Sequence, residues 1–93
     1  MEQLRHKIVA ANWKMNTTIN EGEALLNSIL NGLPEHLNCS VIIAPPFTHL
    51  PMVLAKVAGS KIHVGAQNCH QDSSGAYTGE ISVEMLKSLG VEY

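Results

Sequence analysis

Charge of either sign is sparse in these 93 residues: six Lys and Arg stand against eight Asp and Glu, a net charge of −2. The basic residues form no stripe, which argues against nucleic acid as the main partner. They form no polybasic patch either, which argues against an anionic membrane surface. Long apolar runs are missing. The longest, over residues 41–47, contains two prolines and is far too short to span a bilayer. The opening residues, Met1 to Lys7, carry no apolar core of a secretory signal, so the expected location is cytoplasmic. Cysteine is limited to Cys39 and Cys69, which make no CxxC pair. In a reducing compartment they read as ordinary packing or loop residues. No low-complexity tract, domain linker or short-period repeat interrupts the chain.

What is present is a globular composition, 45% hydrophobic and 15% charged, in a length that allows at most one small domain. The stretch around which the rest is arranged runs from Ile8 to Asn16. Its first half, Ile8-Val9-Ala10-Ala11, is small and β-branched, as in a parallel strand covered on both faces, and the first strand is placed at Lys7 to about Asn12. Thr18-Ile19-Asn20-Glu21 then fits a capping box opening a helix. Ile19, Leu26, Leu30 and Leu33 follow helical spacing, widened by Leu25 and Ile29, and Asn31-Gly32 with Pro34 marks the stop. A second strand is expected over Ser40–Ala44, ended by Pro45-Pro46. Thr48 is placed as the cap of a second helix, with Pro51 in its first turn, a buried stripe of Leu50, Val53, Leu54 and Val57, and a stop at Gly59. A third strand runs from Ile62 to about Gln67. Asn68–Gly79 has no periodicity, and a loop that long in a compact protein is usually functional or an interaction element. A short helix over about Ser82–Leu89 ends at Gly90, and Val91-Glu92-Tyr93 reads as the opening of a fourth strand. Strict β-α alternation implies parallel strands joined by right-handed crossovers.

Chemistry has few places to sit. Asn12 and Lys14 are two apart, so their side chains share a face if the extended conformation persists. They lie where the first strand runs out, and the carboxyl ends of strands are where α/β folds bind ligands. A lysine there is a compact positive charge suited to a phosphate or an enolate, although a lysine after a strand is also commonly a solvated charge leaving the core. His63, Cys69, His70 and Asp72 could be imagined as metal ligands, but they show no recognised zinc spacing, and no metal is expected. Gly75 and Gly79 do not sit between a strand and a helix as a phosphate-binding fingerprint requires, so they read as turn glycines. Phe47 and His49 read as loop and packing residues. His6, His36 and His63 have no visible acidic partner, and Glu80 with Glu84 suits a helix start better than acid–base work.

Ala11-Asn12-Trp13-Lys14-Met15-Asn16 resembles the first-strand signature of the triosephosphate isomerase family. Val64-Gly65-Ala66-Gln67-Asn68, followed by Ser74-Gly75-Ala76-Tyr77-Thr78-Gly79-Glu80-Ile81-Ser82, resembles that family's third loop. The two matches come in the right order and at the right distance, and the resemblance runs from about Lys7 to Tyr93. It implies an α/β fold that is part of a TIM (β/α)8 barrel, about three βα units plus the start of strand four. Residues 1–93 would then be the N-terminal part of one barrel domain.

The resemblance also implies an activity: interconversion of dihydroxyacetone phosphate and glyceraldehyde 3-phosphate in glycolysis and gluconeogenesis, without cofactor or metal. In the family a glutamate moves a proton through an enediolate while a neutral histidine polarises the carbonyl. On this sequence the carry-over is limited. Lys14 would be catalytic and substrate-binding, neutralising phosphate and enediolate charge. Asn12 would bind substrate and hold Lys14, and Trp13 would pack away from it. Met15 and Thr78 would lie at the interface of a homodimer, Thr78 reaching the partner's asparagine. The family's histidine and glutamate fall beyond Tyr93, and none of the histidines here replaces the former on motif grounds. A barrel needs about 250 residues, so the isolated 93-residue chain is expected to be inert, with open sheet edges and a tendency to aggregate. The competing expectation is a non-enzymatic small α/β module that binds phosphate or serves in assembly.

Overall fold

A computed structural model describes residues 5–93, so the part of the leader-free reading that rests on residues 1–4 lies outside the described residues. Three strands form one parallel sheet in the order of the chain: β1 (Lys7–Asn12), β2 (Cys39–Ala44) and β3 (Ile62–Val64). Each crossover is helical. Helix α1 (Ile19–Gly32) joins β1 to β2, and helix α2 (Leu50–Val57) joins β2 to β3 after a short 3-10 turn over Phe47–His49. Helix α3 (Val83–Leu89) follows the long loop. The register pairs Lys7 with Cys39 and Asn12 with Ala44, so β1 and β2 end level with each other.

Local chemistry fixes the helix ends. Thr18 and Glu21 form the expected capping box: Glu21 N–H donates to Thr18 Oγ1 at 3.3 Å, and Thr18 N–H donates to Glu21 Oε1 at 2.9 Å. The Thr18 backbone N–H first, and then the Thr18 hydroxyl, hold the Glu21 carboxyl below its ordinary range. Ser82 caps α3 by accepting from Met85 N–H at 3.2 Å, and Gly90 closes it in the left-handed region at φ 99°. Thr48 does not cap α2. His49 occupies that place, and the Thr48 hydroxyl lies instead 2.9 Å from His49 Nδ1. The 3-10 turn supplies the reason, since it carries the chain into α2 already coiled and leaves no extended capping residue.

The core is built from Leu26 of α1, Ile43 of β2, Leu50, Val53 and Val57 of α2, Ile62 and Val64 of β3, Leu86 of α3, and Trp13. β1 adds nothing to it. The expectation that this strand is covered on both faces is not met: every residue of Lys7–Asn12 is exposed, with Ile8 at 58% and Val9 at 56%. Among the described residues β1 is the edge of the sheet, hydrogen-bonded to β2 alone, and the apolar face that its sequence supplies has no described element against it.

β3 is shorter than expected. It ends at Val64, and Gly65 N–H makes one more bond to β2, to Ile43 O at 2.8 Å. Beyond it, Ala66 N–H donates to Tyr93 O at 2.8 Å and Glu92 N–H to Val64 O at 3.4 Å. Residues 91–93 therefore lie beside β3, as a fourth strand would. Their two bonds are one residue out of step with a regular parallel ladder, which is why no fourth strand forms.

Candidate functional site

The carboxyl ends of β1 and β2 meet at Asn12 and Ala44, and the chain turns sharply there. Trp13 stays tied to the sheet, its N–H donating to Ala44 O at 3.0 Å, and its ring is buried in the core. Lys14 then adopts φ 57° and Thr17 φ 76°. Both are left-handed and neither is glycine. Such residues cost on the order of 1–3 kcal/mol each and persist where their surroundings over-determine them.

The extended backbone therefore does not reach Lys14, and alternation along a strand does not relate it to Asn12. A direct bond does: Asn12 Oδ1 accepts from Lys14 N–H at 2.9 Å. With its oxygen turned inward, Asn12 keeps the two N–H donors of Nδ2, which make no side-chain hydrogen bond among the described residues. Among those residues Lys14 Nζ makes no ion pair, and the side chain is exposed. Asn12 and Lys14 thus bring an amide and a cationic side chain to one turn at the carboxyl edge of the sheet, residue types suited to an oxyanion.

Two residues to which the sequence assigned no role at this site secure the turn. Gln67 Nε2 donates to Lys14 O and to Ala44 O, both at 3.0 Å. Gln67 thus pins the turn to the end of β2 from a position just past β3. His49 is only 2% exposed. Its Nε2 lies 3.0 Å from Thr17 Oγ1 and 3.1 Å from both Thr17 O and Thr18 O. Asn16 closes the segment, its Nδ2 donating to Trp13 O at 2.8 Å. The sequence placed Gln67 at the end of the third strand and within the segment resembling the family's third loop, and read His49 as a loop and packing residue, without assigning either a role at this turn.

The loop over residues 68–79 is self-packed. His70 N–H donates to Ile81 O at 2.7 Å and a single bridge pairs His70 with Ser82, cinching the two ends. The His70 and Tyr77 rings stack at 4.2 Å, and His70 Nδ1 accepts from Asp72 N–H at 3.0 Å. Gly75 sits at φ 143°, where a Cβ would come within 2.7 Å of the Tyr77 ring. Thr78 is exposed on this loop, and Met15 is 97% exposed on the turn after β1. Cys39 and Cys69 are both free. No group of three or more His, Cys, Asp or Glu among the described residues is arranged to hold a metal ion. Of the remaining histidines, His6 Nε2 lies 2.6 Å from Ser40 Oγ, and His63 does meet an acid, its Nδ1 lying 3.5 Å from Glu92 Oε1. That pairing was invisible in the sequence because it depends on residues 91–93 lying beside β3.

Residues 7–93 match the family model described as triosephosphate isomerase. The chain belongs to the triosephosphate isomerase family. Similar proteins named triosephosphate isomerase include one from Flavobacterium psychrophilum, 50% identical over 95% of this chain and 35% of the relative. One from Clostridium botulinum is 50% identical over 97% of this chain and 36% of the relative. One from Aquifex aeolicus is 42% identical over 94% and 35%. The chain thus spans about a third of the length of the curated relatives it matches. Family membership accounts for the three parallel βα units as a part of a TIM fold, and it does not favour the reading as an independent phosphate-binding module.

Proposed function

We propose that these residues are the N-terminal part of a triosephosphate isomerase barrel, and that the turn after β1 supplies its positive charge. The observation that carries the proposal is the Asn12–Lys14 bond within a left-handed turn at the carboxyl end of the sheet. The protein of which this chain is part interconverts dihydroxyacetone phosphate and glyceraldehyde 3-phosphate. The reaction moves one proton between adjacent carbons and needs no redox partner. Lys14 neutralises the substrate phosphate and the oxyanion of the enediolate. Asn12 fixes the Lys14 backbone through Oδ1 and offers Nδ2 to substrate oxygen. The proton-transferring groups are contributed by other parts of the protein.

The substrate is a small phosphorylated triose and the location is the cytoplasm. No helix among the described residues is long and apolar enough to cross a membrane, which is compatible with that location. The complete protein is a homodimer with Met15 and Thr78 at the interface. Support comes from the exposure of the Met15 thioether, an apolar group that gains from a cover, and from the loop, cinched at its ends, that presents Thr78.

The test is Lys14→Ala in the complete protein. Losing one oxyanion-stabilising group lowers turnover on the order of 10²–10³-fold. The fold stays largely intact because an exposed charge contributes little to stability. Isomerase turnover that survives Lys14→Ala within an order of magnitude would refute the assignment.

A further inference from the structure

We propose that His49 is a positioning residue for the Lys14 turn, an inference that rests on the proposed role of Lys14. The turn between Trp13 and Thr18 contains two left-handed non-glycine residues and must be held from outside. Lys14 is held by Asn12 and Gln67. Thr17 is held by His49, which comes from the far side of β2, 32 residues along the chain.

The ring is fixed by its surroundings. Its Nε2 faces Thr17 O and Thr18 O, both at 3.1 Å. Carbonyl oxygens only accept, so Nε2 carries the proton and donates. Nδ1 is then the acceptor, and the Thr48 hydroxyl at 2.9 Å donates to it. The imidazole and the Trp13 ring stand T-shaped to each other, with ring centroids 6.4 Å apart and planes at 84°. On the α1 side stands Gly22, where a Cβ would come within 2.7 Å of His49 Cδ2. A buried N–H aimed at two consecutive carbonyls fixes the last residue of the turn and the cap of α1 together. With that end anchored and the Trp13 end tied to Ala44, Lys14 has one place to stand. Small displacements of a charged group far exceed their apparent size in rate, because the group acts where charge develops.

Three variants of the complete protein decide it. His49→Phe keeps an aromatic ring and removes the donor, whereas His49→Gln returns an N–H donor near the Nε2 position. We expect kcat/KM of His49→Phe to fall on the order of tenfold to a hundredfold, with kcat carrying most of the loss. His49→Gln should recover most of it. Brief trypsin treatment gives a readout independent of activity: cleavage after Lys14, read by mass, accelerates in His49→Phe and returns toward wild type in His49→Gln. A folded His49→Phe protein that keeps kcat/KM within about twofold of wild type, with unchanged cleavage after Lys14, overturns the proposal. Failure of His49→Gln to restore either readout overturns it too. If His49→Phe does not fold, Gly22→Ala, which pushes the ring from behind, must accelerate the same cleavage, and wild-type cleavage there would overturn the proposal. If the unaltered protein has no isomerase turnover, the functional assignment has failed, and the cleavage rates alone still decide whether His49 holds the turn.

Discussion

Alanine in place of Gly22 should destabilise the protein, against the ordinary preference of helices. Gly22 lies in the first turns of α1 and is buried. Replacing a helical glycine by alanine normally gains about 0.5–1 kcal/mol, because less backbone freedom is lost on folding. Here the new methyl would stand 2.7 Å from His49 Cδ2 and 3.2 Å from its Nε2, with Thr17 Oγ1 at 3.3 Å. A comfortable carbon–carbon contact is about 3.5–4.0 Å, so one of the two groups must move by close to an ångström. The imidazole cannot swing away, since it is enclosed and bonded at both nitrogens. Overpacking of this kind costs about 1–3 kcal/mol. The balance is a net loss on the order of 1 kcal/mol. Gly32, at the other end of the same helix, is the internal control: a Cβ there meets nothing within 4 Å. Gly32→Ala should be neutral or stabilise by up to about 1 kcal/mol. The assay is urea unfolding of the complete protein at one fixed concentration, comparing midpoints of the two variants with the parent. If Gly22→Ala moves the midpoint upward, as Gly32→Ala does, the packing of His49 against α1 is wrong.

Two further outcomes follow from the same contacts. The Glu21 carboxyl is held below its ordinary value of 4.5 by the Thr18 N–H and then the Thr18 hydroxyl. A group with a lowered folded pKa contributes stability that is fully present above the ordinary value and is lost as pH falls through the lowered one. Glu21→Gln should therefore be less stable than the parent near neutral pH, and the difference should shrink on acidification below 4.5; a difference independent of pH would rule out the ionised capping box. Thr78→Arg should weaken the proposed homodimer by placing a bulky charge on the presented loop, seen as a shift toward monomer in sedimentation velocity of the complete protein. An unchanged oligomer and an unchanged rate would dismiss the interface reading.

The parts of the fold that were legible in the sequence are those written in local chemistry. Thr18 with Glu21, Ser82 and Gly90 each announce a helix end through bonds spanning a few residues, and each stands where its pattern places it. Patterns averaged over a window did less well. The apolar run in β1 was read as burial on both faces, but composition reports what a strand is suited to, and cover depends on which elements lie against it. The third strand was drawn three residues too long because Gly65, Ala66 and Gln67 remain compatible with extended backbone, while after one last bond from Gly65 to β2 the bonding passes from Ala66 to Tyr93 and from Gln67 to the turn after β1.

The candidate site divides along the same line. Asn12 and Lys14 were visible because they are two residues apart, although they are joined by a side-chain-to-backbone bond across a left-handed turn and not by strand alternation. The contacts of Gln67 and His49 to the turn were invisible because each reaches a partner more than thirty residues away. Their spacing carries no period, and their residue types are common on loops. Physically they matter more to the turn than their neighbours do, since a strained backbone stays strained only while something distant holds it. On the proposed reading Lys14 supplies the charge, and contacts from beyond the β2 and β3 ends, through His49 and Gln67, hold the turn that carries it. A parallel sheet suits this arrangement: successive strands deliver their carboxyl ends to one edge, so residues far apart in sequence can grip a single turn.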